Sequence, residues 1–161
     1  MESINTKTRP TFLTVICILT FIGSGLSLLS NGISLVNGKL TEEQLEDRIY
    51  EISKTYDKDG PEFQKVITKK SIELQQLNNE NFYAITSTNF FVALLALVGA
   101  FMMFKLDRRG FGIYILAQII PIVVSFIYFG NNIVSTITSV ILIFISLIFI
   151  IMYAVNLKHM K

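Results

Sequence analysis

The sequence predicts an all-α membrane protein: an antiparallel four-transmembrane-helix bundle with an extracytoplasmic helical hairpin between spans 1 and 2. Three observations carry that expectation. Of 161 residues, 52% are hydrophobic and only 16% charged, and mean hydropathy is +0.55, a composition suited to lipid. The 14 Lys/Arg and 12 Asp/Glu leave four blocks with no charge, residues 11–36, 82–104, 111–129 and 133–156. Each is long enough to cross a hydrocarbon core of about 30 Å. Within the blocks, small and polar residues recur at alternating three- and four-residue steps, the period of helices wound in a left-handed bundle.

Residues 1–10 are read as a tail carrying Lys7 and Arg9. The first span, residues 11–36, follows that basic pair and contains Gly23, Ser24 and Gly25, so it has the outline of a signal peptide. Its length, about 39 Å as a helix, exceeds a signal h-region of roughly 7 to 15 residues and predicts an uncleaved span. Cys17 is then a small apolar residue within it.

Residues 37–81 are read as the helical hairpin. Thr41 and Gln44 make a capping box, and Leu45, Ile49, Ile52 and Tyr56 share one helical face. Asp57 to Pro61 supply stop and turn chemistry. A second helix presents Phe63, Val66, Ile67, Leu74 and Leu77 as a stripe and has the pattern to run on into span 2. Two such stripes bury against each other or against a partner; standing upright, arms of about 16 residues would reach roughly 25 Å from the membrane. The acidic run Glu42, Glu43, Glu46 and Asp47 is a solvated helical face, without the glycine-turned loop of a calcium site.

Spans 82–104, 111–129 and 133–156 follow, joined by residues 105–110 and 130–132, with residues 157–161 as a tail. Basic residues in the short near-membrane segments (Lys7, Arg9, Lys105, Arg108, Arg109, Lys158, Lys161) set the orientation. They predict a multi-pass protein of the cell inner (cytoplasmic) membrane with both termini cytoplasmic, residues 105–110 inside and residues 130–132 outside. Pro121, in the middle of span 3, predicts a bend there.

The polar seam reads Cys17, Thr20, Ser24, Ser27, Asn31 and Ser34 in span 1, and Thr86, Asn89, Ala93, Ala96, Ala100 and Met103 in span 2. Span 3 contributes Tyr114, Gln118, Pro121, Ser125, Tyr128 and Asn132; span 4 contributes Ser135, Ser139, Leu142, Ser146, Phe149 and Tyr153, and then Asn156. Facing inward, these residues either only pack, with hydroxyls bonded to their own helices, or line a narrow polar cavity. The cavity reading puts Asn31, Asn89 and Tyr128 on the outer side and Gln118 and Tyr114 deeper, admitting a small neutral or lipid-like ligand.

Composition excludes a soluble enzyme, and the scattered net charge of +2 leaves no footprint for nucleic acid. The spans hold no Asp, Glu, Lys, Arg or His, against proton relays and ion-coupled export. One cysteine cannot exchange disulfides within a chain. The single histidine, His159, sits in the basic tail, and no phosphate loop or catalytic triad can be assembled. The expectation is therefore no catalytic residue, no cofactor and no metal.

Arg9 to Gly25, reading RPTFLTVICILTFIGSG, together with Met102-Met103-Phe104-Lys105-Leu106 running into Gly110-Phe111-Gly112-Ile113-Tyr114, resembles small, uncharacterised four-span bacterial inner-membrane proteins. The resemblance covers about a quarter of the chain; it implies location and topology and transfers no functional residue. The layout with a large first outer loop is also similar to claudin-like tetraspans, but there is no Trp and no cysteine pair in that loop. The expected role is a non-enzymatic accessory or scaffold subunit, associating through the outer hairpin and membrane helices with lipids and with another membrane subunit or further copies of itself. The alternative is a small carrier or channel for a neutral or lipophilic molecule.

Overall fold

A computed structural model describes residues 9–55, 61–130 and 132–161. The described residues form six α-helices: α1 (Thr11–Asn37), α2 (Glu42–Thr55), α3 (Glu62–Glu80), α4 (Phe82–Phe104), α5 (Arg109–Phe129) and α6 (Ile133–Asn156), then a 3-10 turn, Leu157–His159. No strand occurs among them. Helices α1, α4, α5 and α6 are long and apolar enough to cross a membrane, so the chain is a multi-pass, all-α protein. Tyr56 and the turn at residues 57–60 lie outside the described residues.

Local chemistry sets the helix ends. Gly38 stops α1 at φ +80, its N–H bonded to the Ser34 carbonyl, a backbone conformation that suits glycine. The capping box forms in both directions: the Gln44 N–H donates to Thr41 Oγ1 at 3.3 Å and the Thr41 N–H to Gln44 Oε1 at 3.1 Å. Asn132 caps α6, its Oδ1 accepting from the Val134 and Ser135 amides. Only Asn81 separates α3 from α4; its N–H and its Nδ2 both donate to the Leu77 carbonyl. Helix α5 runs unbroken through Pro121.

The four long helices form an antiparallel ring in which α4 packs extensively on both α1 and α5, whereas α6 makes sparser contact with α5 and α1. Where α4 meets α5, Gly99 and Gly110 bring the backbones together: a Cβ on Gly99 would lie 2.9 Å from the Gly110 carbonyl oxygen. Lipid tails are as apolar as leucine, so close packing of this kind has to supply much of the cohesion between helices.

The end that carries residues 9 and 161, here the terminus end, is closed. Leu13, Ile16, Cys17, Met103, Tyr114 and Tyr153 form its buried core. Thr20 and Tyr153 share a 2.8 Å hydrogen bond, and the Tyr114 and Tyr153 rings meet edge-on at 4.8 Å. Arg9 donates to the Phe104 carbonyl at 2.8 Å and stacks over the Phe104 ring. Lys161 donates to the Leu106 carbonyl and accepts from the Arg108 N–H.

At the opposite, hairpin end, α2 packs on α3, and α3 also packs on α5 and α6. Asn132 Nδ2 donates to the Lys70 carbonyl at 2.8 Å. Asn79 both accepts from the Leu40 N–H and donates to the Leu40 carbonyl. The hairpin is therefore moored to the bundle. The expected α3 stripe is buried only in part: Ile67, Leu74 and Leu77 are half-buried, but Phe63 is 69% and Val66 47% exposed. The bundle meets α3 at Lys70, and Phe63 lies about 10 Å farther along the helix axis, beyond that support.

Candidate functional site

At the hairpin end residues of α3, α4, α5 and α6 line a cavity of about 410 Å³, within the roughly 300 to 1,000 Å³ of small-molecule sites. Leu74, Gln75 and Asn78 of α3 roof it, Ile85 and Asn89 stand on α4, and Gln118, Pro121 and Ser125 are among its α5 residues. Helix α6 contributes Ser135, Thr138, Ser139, Leu142 and Ser146. None of the lining residues is ionisable, so the cavity offers amides, hydroxyls and hydrocarbon.

Its hydroxyls hold one another. Ser125 Oγ lies 2.9 Å from both Ser135 Oγ and Ser139 Oγ, fastening α5 to α6. Deeper, Ser146 Oγ donates to Gln118 Oε1 at 2.7 Å, which leaves both N–H groups of that amide available. Among the described residues the Asn89, Gln75 and Asn78 side chains make no hydrogen bond to protein, while every side-chain N or O fully cut off from solvent has a partner. These amides therefore stay accessible from the cavity or its rim.

Of the five seam residues singled out by sequence, the structure brings two together here, Asn89 and Gln118. Asn31 does not line the cavity; its Nδ2 donates to the Ser27 carbonyl, with Ser27 Oγ also within 3.2 Å. Tyr114 is buried in the terminus-end core against Tyr153, where α4 and α5 pack too tightly to leave space. Tyr128 is half-buried on α5 and outside the lining. The periodicity did not single out Gln75, Asn78 and Thr138: the two α3 amides lie in the hairpin, and Thr138 falls one residue from the Ser135–Ser139 step.

No set of three or more His, Cys, Asp or Glu residues placed to hold a metal ion occurs among the described residues. Outside the bundle, the half-buried Asp107 carboxylate accepts from the Arg109 guanidinium and from the Arg109 N–H. The guanidinium foremost, and then that backbone bond, hold its pKa below the ordinary carboxylate value. No family model, curated protein or solved structure matches the chain.

Proposed function

We propose that the chain is a non-enzymatic membrane protein that holds a small uncharged molecule in the cavity between α4, α5 and α6. The observation that carries this reading is a 410 Å³ space lined without a single ionisable group, into which amides with unused hydrogen-bonding capacity project. An ion there would forgo hydration at a cost of several kcal/mol with no counter-charge in the lining. A neutral molecule with a few polar atoms meets both the apolar and the amide surface, and such a site suits a carrier or a ligand-responsive subunit.

Native mass spectrometry of the protein extracted from its own membrane in a lipid-preserving medium tests the reading. One defined small molecule retained by the wild type, and lost from Asn89→Leu and Gln118→Leu variants that melt like the wild type, is the expected result. An empty wild-type protein, or variants that lose only stability, overturns it.

A second reading, an accessory subunit docking through its hairpin, is favoured by Tyr50, Phe63 and Val66, which leave exposed apolar surface on α2 and α3. A stoichiometric foreign chain that departs when residues 41–78 are replaced by a short linker supports it; retention of that chain sinks it. In either role we place the protein in the cell inner membrane, hairpin outside, because Arg9, Lys105, Arg108, Arg109, Lys158 and Lys161 all gather at the terminus end.

A further inference from the structure

The inner face of α1 is covered at the terminus end and uncovered toward the hairpin end, whereas on α6 Ser135 and Ser139 are buried at the hairpin end and the exposed stretch lies between them and Tyr153. Thr20 and Tyr153 are buried and bonded to each other. Eleven residues are about three turns of α-helix, so Asn31 shares the face of Thr20, and Leu142 shares that of Tyr153. In an antiparallel pair that stayed in contact, Asn31 and Leu142 would lie opposite each other and be buried. Instead the buried residues of α1 end at Thr20, Ser24, Ser27 and Asn31 are only half-buried, and Leu142 is 51% exposed although it lines the cavity.

No residue of α1 lines the cavity. Helix α1 stays with α4 toward the hairpin end, Gly32 lying against the Phe90 ring, while Ser125 keeps α6 with α5. The two pairs therefore part between α1 and α6. At the hairpin end α3 lies over the space with Leu74, Gln75 and Asn78 in its lining, and Asn132 ties it to the start of α6.

We infer that the cavity opens sideways into the bilayer between the hairpin-end halves of α1 and α6, and takes the head of an uncharged single-chain amphiphile such as a monoacylglycerol. This rests on the ligand-holding reading above and adds the class and the route. The space corresponds to about fourteen water molecules' share of liquid, room for a polar head and the start of one chain. The remaining chain lies in the gap among lipid tails. Asn89 and the free N–H groups of Gln118 meet the hydroxyl and ester oxygens, and the half-buried Ser24 and Ser27 flank the passage.

The test uses the full chain in phosphatidylcholine vesicles, photolabelled with a diazirine monoacylglycerol or with a fatty acid of the same chain, at a pH where its carboxyl is ionised. Mass spectrometry locates the adducts. Labelling of the α5 and α6 cavity residues by the monoacylglycerol, with the fatty acid weaker by roughly tenfold or more, is expected from the charge penalty. Ser27→Trp, which sets a ring in the gap, should lower cavity labelling several-fold; Leu29→Trp, on the exposed side of the same helix, should not. Ser24→Phe serves if Ser27→Trp does not fold.

Equal labelling with the gap blocked overturns the sideways route, and equal labelling by the fatty acid overturns the ligand class; the ligand-holding reading survives both. Adducts confined to lipid-facing positions such as Phe144 overturn the inference as a whole. Native mass spectrometry of the native-membrane protein then decides the ligand-holding reading separately.

Discussion

Gly99 of α4 and Gly110 of α5 face each other so closely that a Cβ on Gly110 would stand 2.5 Å from the Gly99 carbonyl oxygen and 2.9 Å from the Met103 nitrogen. The obstacles are mainly backbone, and neither helix can yield to them by changing a rotamer. The contact also lies beside Tyr114, whose backbone nitrogen is 2.9 Å from a Cβ placed on Gly99. Packing of α4 on α5 thus depends on the absence of two methyl groups.

Gly110→Ala should therefore push α5 from α4 and lower stability by about 1 to 3 kcal/mol, the usual cost of overpacking. Gly23→Ala and Gly25→Ala, with nothing within 4 Å of the added methyl, should leave stability unchanged or slightly raised. Chemical denaturation of the three variants in one detergent makes the comparison. Equal losses at all three sites would refute the close contact.

Asn79→Leu removes both hydrogen bonds to the Leu40 backbone. Each is worth about 0.5 to 1.5 kcal/mol net, so the Leu40 amide should exchange with solvent several-fold faster or more, while amides deep in α4 keep their protection. Hydrogen exchange followed by mass spectrometry reads both regions together. Unchanged exchange at Leu40 would show that the hairpin is held by other contacts.

Asp107 has its pKa shifted below the ordinary value by Arg109, so it favours the folded state above the unfolded-state pKa. That contribution disappears as pH falls through the lower, folded-state pKa. The wild type should melt above Asp107→Asn at neutral pH, by a small margin because the Arg109 partner is exposed to solvent, and the two should converge in strong acid. A margin that grows on acidification contradicts the sign.

Orientation has a direct readout. With Cys17 replaced by Ala, a single cysteine at Lys65 should react with an impermeant thiol reagent in intact cells, and one at Arg108 should react only after lysis. The opposite pattern would invert the topology.

The bounds of the long helices were largely legible because charge-free blocks have sharp ends: α4 occupies the expected residues 82–104, α1 extends the expected block by Asn37 alone, and α5 begins at Arg109, two residues before its block. The seam was legible wherever helices stay in contact, as with Thr86, Ala93, Ala96, Ala100 and Met103 on α4, all of them buried. It failed as a guide to the cavity because a stripe on one helix carries no record of where its neighbour leaves it. Asn31 and Thr20 obey the same period, yet only Thr20 keeps a partner on another helix. Gly99 was passed over for Ala100, since the step from Ala96 admits either residue; only the close approach of Gly110 distinguishes them. The mooring of α3 by Asn132 joins residues 62 positions apart and leaves no local periodic signal.

Asn81 leaves almost no slack between α3 and α4. The Asn81 N–H reaches back to Leu77 and the Asn81 carbonyl receives the Ile85 N–H, so the backbone is tied on both sides of the joint. The hairpin is in effect an arm rigidly continuous with the α4 wall of the cavity and pinned by Asn132 to the α6 wall. A load at Phe63 would be shared by that joint and by the Asn132 tie to α6, so the hairpin and the helices below it are mechanically coupled rather than independent.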